Sequence, residues 1–162
     1  MISSDARPVA AYVALGANLG DARRTIRQAL LALDHLPQTR LVRASSLYRT
    51  APIDSSGPDY INAVAEVATS LSPHALLTEL QGLELAAGRE RPYLNAPRTL
   101  DLDILLYDDL RLDSPTLTIP HPRMATRAFV LVPLTEIAPH LLGAYPLEAV
   151  REQAIERLSA DP

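Results

Sequence analysis

Strand-like and helix-like apolar patterns alternate along this chain, and this alternation constrains the fold more than any other feature of the sequence. Short apolar or alternating runs predict strands over 9–15, 39–48, 60–69 and 101–107. Helical spacing of apolar residues predicts helices from Asp21 to Pro37 and from Ser72 to Gly88. The order βαββαβ favours an antiparallel or mixed sheet with helices packed on it.

The remaining segments are predicted with shorter elements or none. Residues 49–58 and 89–99 have no periodicity and are expected to be loops. Short extended pieces near 111–119 precede a helix over 126–136 and a last helix over 146–158. We expect one domain over residues 1–162, with 1–8 and 159–162 as candidates for disordered tails.

The chain has no lysine, so all 15 of its basic side chains are arginines. A Walker A loop, a protein-kinase strand lysine and a Schiff base all need a lysine, and all three are therefore excluded. Any phosphate would have to be bound by arginine, backbone amides or metal ions. A net charge of −4 argues against nucleic acid as a partner.

The absence of cysteine excludes disulfides, a thiol nucleophile and Cys-ligated zinc. The apolar runs are too short to span a bilayer, so no membrane association is expected. The first residues lack the pattern of a signal peptide, and a cytoplasmic location is the expectation.

Asp101-Leu102-Asp103 is the most specific chemical feature. Alternation along a strand would point both carboxylates to one face, roughly 6.5 Å apart, with Leu102 and Ile104 toward the core. Carboxylates at that spacing can hold one or two Mg²⁺ ions. The alternative is the solvated face of an amphipathic strand, which is the commoner origin of an isolated Asp-x-Asp.

Basic residues surround this pair in the sequence, which favours a polyphosphate ligand over isolated surface charges or local ion pairs. They are Arg89, Arg91 and Arg98 before it, and Arg111, His121, Arg123 and Arg127 after it.

Two further residue pairs are candidates for ligand contacts. Tyr60 and Asn62 share a strand face and would suit a flat heteroaromatic ring, although packing against neighbouring residues is the alternative. Phe129, taken alone, is better interpreted as a core residue. Gln81 and Glu84 are predicted to face the same way on their helix, where most such pairs are solvated.

Other polar groups have simpler interpretations. Residues 16–21 form neither a dinucleotide fingerprint nor a P-loop and predict a strand-to-helix turn capped by Asp21. His35, His74 and His140 lack metal-ligand spacing and are expected at the surface.

The segment Ala96-Pro97-Arg98-Thr99-Leu100-Asp101-Leu102-Asp103-Ile104-Leu105-Leu106-Tyr107 resembles the 6-hydroxymethyl-7,8-dihydropterin pyrophosphokinase family. Further ordered matches cover residues 15–21, 45–50, 58–63, 84–89, 119–124 and 127–139, so the resemblance extends over roughly residues 9–140. It implies an α+β, ferredoxin-like fold with helices on both sheet faces. It also implies transfer of pyrophosphate from ATP to the pterin in folate biosynthesis, by a protein that is expected to be monomeric.

The resemblance assigns roles to individual positions. Asp101 and Asp103 would hold two magnesium ions, and Arg89 and Arg98 would act with them in catalysis, Arg89 by supporting the loop that closes over ATP. The pterin would contact Thr50, Ala51, Ile53, Tyr60, Asn62 and Phe129. The ATP site would comprise Gln81, Glu84, Arg91, Arg98, Ile104, Thr118, His121 and Arg127.

Residues 94–98 depart from the family pattern. Many members have Arg-Trp-Gly-Pro-Arg where this chain reads Leu-Asn-Ala-Pro-Arg, so an arginine and a tryptophan that help to clamp ATP lack counterparts. Two rival functions remain: a module that binds nucleotide or pterin without turnover, and a two-metal nucleotidyltransferase or nuclease, against which the acidic balance weighs.

Overall fold

The central feature is an antiparallel sheet whose order is β5-β1-β4-β3-β8, with β2 also paired to β4. The computed structural model describes residues 7–52, 57–88 and 99–159. Its strands are β1 (Val9–Ala17), β2 (Thr39–Ala44), β3 (Tyr48–Thr50), β4 (Tyr60–Thr69), β5 (Asp101–Tyr107), β6 (Leu112–Asp113), β7 (Thr118–Ile119) and β8 (Glu156–Arg157). Its α-helices are α1 (Ala22–Leu33), α2 (Pro73–Ala86) and α3 (Ala128–Ile137), and β6 and β7 form a separate ribbon.

Capping groups predicted from the sequence fix the ends of the first two helices. The Asp21 carboxylate accepts a hydrogen bond from the Arg24 backbone N–H at 3.2 Å and starts α1. Ser72 does the same for the Ala75 N–H at 3.2 Å, with Pro73 in the first turn of α2. Gly88, at a φ of 90°, lies just beyond the end of α2, where a left-handed residue stops a helix.

The two faces of the sheet carry different helices, because alternate strand residues point in opposite directions. Ile61, Ala63 and Val67 of β4 belong to an apolar cluster that includes residues of α1 and α2. Val64, on the other face of β4, packs with Met124 and residues of α3. The α+β class, with helices on both faces, is therefore confirmed.

Two predicted elements are wrong in detail. The strand expected over 39–48 is interrupted at 45–47, and the strand resumes as β3, which continues through Arg49 and Thr50 into the predicted loop. The helix expected over 146–158 is a 3₁₀ turn at Leu147–Val150 followed by β8, which pairs with β3. Long-range pairing outweighs the weak helical preference of this segment.

The other predicted elements are confirmed with small shifts at their ends, and β5 has the predicted bounds. Residues 1–6 and 160–162, which make up most of the two predicted tails, lie outside the described residues. Within the described ranges, no helix is long and apolar enough to cross a membrane.

Candidate active site

A cavity of about 340 Å³ opens on the face of the sheet that carries α3, beyond the N-terminal end of that helix. Residues of β1, β3, β4, β5 and α3 contribute to it, so its walls come from distant parts of the sequence. It is lined by Ala14, Leu15, Gly16, Thr50, Ala51, Pro52, Tyr60, Asn62, Asp101, Asp103, Arg127 and Phe129. Its size is suitable for a small ligand.

Both carboxylates of the Asp-x-Asp motif line this cavity, as the strand period predicts. Asp101 lies opposite Gly16 and Asp103 opposite Ala14 on β1, so small residues leave space beside the two acids. Leu102 and Ile104 are buried on the other side, with 4% and 2% of their surface exposed. The two acids therefore face a ligand-sized space, whereas their neighbours on the strand face the core.

Tyr60 and Asn62 share the same cavity wall, which confirms that they face the same way. The buried Asn62 amide donates a hydrogen bond from Nδ2 to Thr50 Oγ1 at 2.8 Å. This bond joins β4 to β3 and fixes the amide orientation next to Thr50 and Ala51, which also line the cavity. A rigid donor and acceptor beside an aromatic ring can read the edge of a flat heterocycle.

Phe129 stands at the start of α3 and lines the cavity while packing partly against the apolar cluster beneath that helix. Its interpretation as a core residue is thus only half correct. The Arg127 guanidinium carbon lies 5.3 Å from the centre of the Phe129 ring, within cation–π range. Arg127 also lines the cavity and brings positive charge to the side where the two acids lie.

The outer edge of β5 is occupied at two points. Glu84, with 4% of its surface exposed, accepts a hydrogen bond at Oε2 from the Leu102 N–H at 2.9 Å. The His121 N–H donates to the Leu105 carbonyl at 2.9 Å. Ile104 lies between these two contacts on the strand. Gln81 is exposed and Glu84 is buried, so the expectation of a solvated pair is wrong for Glu84.

His121 lies close enough to the acidic pair for its titration to be affected. Partial burial lowers the pKa of its imidazole below 6.5, Asp103 opposes that shift, and Arg127 and Arg123 add to it. Arg111 and Arg123 are exposed and are not among the cavity-lining residues, whereas Arg127 is. Thr118 is half-buried on β7.

Four of the residues assigned from the resemblance lie outside the described part of the chain: Ile53, Arg89, Arg91 and Arg98. The altered segment 94–98 also lies outside the described residues, which resume at Thr99. His35, His74 and His140 are exposed, as expected.

The donor set fits magnesium better than a transition metal. Among residues 7–52, 57–88 and 99–159, no group of three or more His, Cys, Asp or Glu side chains could enclose an ion. Magnesium is commonly held by one or two carboxylates, with water and substrate phosphates completing its shell. Asp101 and Asp103 at the edge of an open cavity match that requirement.

Glu136, Ser46 and Tyr48 lie in segments that match the family pattern, but the sequence analysis assigned no role to them. Glu136 accepts hydrogen bonds from the Ser46 N–H and from the Tyr48 hydroxyl, the latter at 2.6 Å. Partial burial acts to raise the pKa of Glu136, but the bonds from Tyr48 and Ser46 and the charge of Arg157 hold it below 4.5. Burial and Glu136 raise the pKa of the Tyr48 hydroxyl. These partners are about 90 residues apart, so no local pattern could have revealed them.

Two comparisons of sequence identify relatives of this chain. Residues 12–139 match the model of the family described as 7,8-dihydro-6-hydroxymethylpterin-pyrophosphokinase (HPPK). The 2-amino-4-hydroxy-6-hydroxymethyldihydropteridine pyrophosphokinase of Pseudomonas aeruginosa is 50% identical, with 86% of this chain and 93% of that protein covered. The protein of the same name from Haemophilus influenzae is 47% identical, with 83% and 84% covered.

A solved structure gives the same fold independently of close sequence similarity. The wild-type HPPK-DHPS of Plasmodium falciparum superposes with a TM-score of 0.66 at 15% identity, covering 94% of this chain and 41% of that one. The chain thus spans less than half the length of that protein, and the likeness concerns the fold alone. The family match and the identity to full-length relatives establish that this chain belongs to the 7,8-dihydro-6-hydroxymethylpterin-pyrophosphokinase family.

Proposed function

We propose that this chain transfers the pyrophosphoryl group of ATP to 6-hydroxymethyl-7,8-dihydropterin, forming the pterin diphosphate and AMP for folate biosynthesis. The observation that carries this proposal is that one cavity is lined both by Asp101 and Asp103 and by Tyr60, Asn62 and Phe129. A phosphate-binding function and a ring-binding function therefore meet in one space.

The pterin would occupy the part of the cavity between Tyr60 and Phe129. Two aromatic side chains can hold a flat ring by stacking. Asn62, held by its bond to Thr50, would read the polar edge of the ring, and backbone groups of Thr50, Ala51 and Ile53 would complete this contact. That arrangement leaves the hydroxymethyl group directed to the two acids.

ATP would bind on the other side of the acids, along the outer edge of β5. The Leu102 N–H donates to Glu84 at this edge. Because the backbone N–H and C=O groups of a strand point to the same edge at every second residue, those of Ile104 also face this edge. Backbone N–H and C=O groups there can pair with the edge of an adenine ring. Gln81, Glu84, Thr118 and His121 surround this edge in the proposal, while Arg91, Arg98 and Arg127 would bind the phosphates.

The chemistry is in-line displacement at the β-phosphorus. The hydroxymethyl oxygen forms a bond to the β-phosphorus as the bond to the α–β bridging oxygen breaks, AMP leaves with that oxygen, and the hydroxyl proton is released. Arg127, at the cavity wall, and Arg98 would stabilise the charge that grows on the phosphate oxygens. Arg89 would hold the segment that covers ATP.

Asp101 and Asp103 would hold two magnesium ions, which when bound supply positive charge at the phosphate oxygens. The role of this chain is then positioning: the rigid strand β5 fixes both carboxylates at one distance from the pterin wall. Metal ligation leaves neither acid well suited to act as a general base.

A monomer in the cytoplasm is the setting that we propose. The proposed roles use residues of one chain only, and none of them calls for a second copy. Cytoplasmic location would place the protein where ATP is available as co-substrate.

The test is a product assay with ATP, Mg²⁺ and 6-hydroxymethyl-7,8-dihydropterin. AMP formed in step with pterin consumption is the expected result. ADP would show that only the γ-phosphoryl group is transferred. Pterin binding without AMP formation would show a binding module without turnover. Either outcome would overturn the proposal.

A further inference from the structure

Residues 45–47, between β2 and β3, form a β-bulge on the edge of β4. Ala44 lies opposite Ala65, and Tyr48 lies opposite Asn62. The three residues 45–47 therefore stand opposite only the two residues 63–64, one more than regular pairing allows. Ser45 stays attached to β4, because its N–H donates to the Val64 carbonyl at 2.9 Å and its hydroxyl accepts from the Val64 N–H at 3.0 Å.

The extra residue decides which face of the sheet the following side chains occupy. A shift of one residue turns every later side chain to the opposite face. With regular pairing from Ala44, Tyr48 would stand opposite Ile61, which belongs to the cluster with α1 and α2. With the bulge, Tyr48 stands opposite Asn62 and Thr50 opposite Tyr60, so both are on the cavity face.

Glu136 of α3 satisfies the backbone group that this bulge leaves unpaired. A bulge interrupts the ladder and leaves its extra residue without a strand partner. The Ser46 N–H instead donates to both carboxylate oxygens of Glu136, at 3.0 and 3.1 Å, and the Ser46 hydroxyl donates to Oε2 at 2.9 Å. The Tyr48 hydroxyl donates to Oε1 at 2.6 Å.

The carboxylate is held firmly by these contacts. Only 24% of the Glu136 side chain is exposed, and Arg157 adds a weaker contact at 3.4 Å. Tyr48 is 4% exposed, so its bond to the carboxylate is shielded from water. Hydrogen bonds to a charged acceptor are about twice as strong as neutral ones, so this bulge is fixed by strong bonds.

We propose that Glu136 is a positioning residue for the pterin side of the site. It lies near the C-terminal end of α3, whose first turn carries Phe129. Through the bulge it keeps Thr50 on the cavity face, and through α3 it sets the separation between the Thr50–Asn62 wall and the Phe129 wall. This inference rests on the proposed function for the meaning of the cavity, but not for the contacts themselves.

The first test compares the steady-state kinetics of Glu136→Gln and Tyr48→Phe with the wild-type chain. Glutamine keeps the size of the side chain. Its amide nitrogen is a donor, however, so only one of the two terminal atoms can accept a hydrogen bond from Ser46 or Tyr48. The pterin KM should rise about tenfold in Glu136→Gln and about threefold in Tyr48→Phe, which corresponds to losing one or two such bonds. The KM for ATP should stay within about twofold in both, because the outer edge of β5 does not contact the bulge.

Glu66→Gln is the matched control. Glu66 is also a glutamate on the α3 face of β4, and it forms an ion pair at 3.1 Å with Arg43, which also donates to the Ile137 carbonyl of α3 at 3.5 Å. The variant therefore removes a charge near the same end of α3 but leaves the bonds to Ser46 and Tyr48 intact. Both KM values should remain those of the wild-type chain. A merely structural role for Glu136 would lower the melting temperature and leave the pterin KM unchanged, and that result would overturn the proposal. If Glu136→Gln fails to fold, an unchanged pterin KM in Tyr48→Phe does the same.

Hydrogen exchange separates this proposal from the proposed function, because it needs no substrate. Backbone amides from Ser46 to Thr50 should exchange faster in Glu136→Gln than in the wild type, while those of β1 and β5 stay the same. Equal exchange at 46–50 would overturn the role of Glu136 even in an active enzyme. Absence of AMP with the wild-type chain would overturn the proposed function and leave the exchange result valid.

Discussion

The two faces of the sheet differ in how completely they are covered, and this difference explains where the site lies. The face toward α1 and α2 is filled by an apolar cluster in which Val13, Leu76 and Leu80 are wholly buried. Among the described residues, α3 and short turns cover only one part of the other face, and the part that they leave uncovered is the cavity. The same strands therefore supply stability on one side and ligand contacts on the other.

We therefore expect loss of volume on the covered face to lower stability, and polar substitution on the open face to leave the fold intact. Asp101 and Asp103 stand on the same strand as the buried Leu102 and Ile104, so one residue step separates the two roles. Substitutions on the covered face should therefore change mainly the free energy of unfolding, and those on the open face mainly the kinetic constants.

The largest effect is expected on the open face at Asp103. Asp103→Asn keeps the shape of the side chain but removes the negative charge that would hold magnesium, so kcat should fall about 10³-fold. Its melting temperature should stay close to that of the wild type, because Asp103 is exposed. The measurement is AMP release at saturating ATP and Mg²⁺.

Asp113→Asn, an exposed acid on β6, is the control for the loss of one negative charge. Turnover of Asp103→Asn within threefold of wild type would show that Asp103 holds no metal.

The next largest effect is expected on the covered face. Leu80→Ala removes a fully buried side chain of α2 and should lower the free energy of unfolding by about 2–5 kcal/mol. The kinetic constants of the molecules that remain folded should be within about twofold of wild type, since Leu80 does not line the cavity. Urea unfolding and kinetics below the transition measure the two quantities. A large change in KM without destabilisation would contradict the division between the faces.

A smaller effect is expected at Asn62, which is buried yet belongs to the open face. Asn62→Ala leaves Thr50 Oγ1 without its donor and the ligand without an amide, so the pterin KM should rise about tenfold, equivalent to ~1.4 kcal/mol. The KM for ATP should change much less. The control is Gln28→Ala, which truncates an exposed amide on α1 and should change neither KM value. An equal rise of both KM values in Asn62→Ala would refute the place of Asn62 on the pterin side.

The smallest effect concerns the pH dependence of the contacts that Glu136 makes with Ser46 and Tyr48. The pKa of Glu136 is lower in the folded chain than its ordinary value of 4.5, so its stabilising contribution is complete above that pH. The contribution is lost as the pH falls through the lower, folded-state pKa. The difference in urea midpoint between wild type and Glu136→Gln should therefore shrink from neutral pH toward acid. A difference that stays constant with pH would contradict the lowered pKa.

The parts of the site predicted from sequence are those that depend on local periodicity. The shared face of Asp101 and Asp103, and that of Tyr60 and Asn62, follows from the period of a strand and needs no knowledge of the partner. The caps at Asp21 and Ser72 are local for the same reason.

The parts that sequence reasoning missed depend on distant partners. Glu84 is buried because the Leu102 N–H, eighteen positions later, needs an acceptor, and a helical pattern cannot show that. The break at 45–47 is stabilised by Glu136 from another element. The segment 146–158 pairs with β3, and Gln153 bonds to the Thr126 carbonyl and the Ala128 N–H at 2.8 Å each, contacts that a short, weakly apolar helix could not offset.

The bonds along the outer edge of β5 have a consequence for behaviour in a crowded solution. An open strand edge is a template on which another chain can add a strand, and this is a common route to aggregation. Here the Leu102 N–H donates to the Glu84 carboxyl group, and the Leu105 carbonyl accepts from the His121 N–H. A strand added at this edge would find the Leu102 N–H and the Leu105 carbonyl already hydrogen-bonded to other groups. Because these two groups are occupied, we expect strand addition by another copy at this edge to be disfavoured.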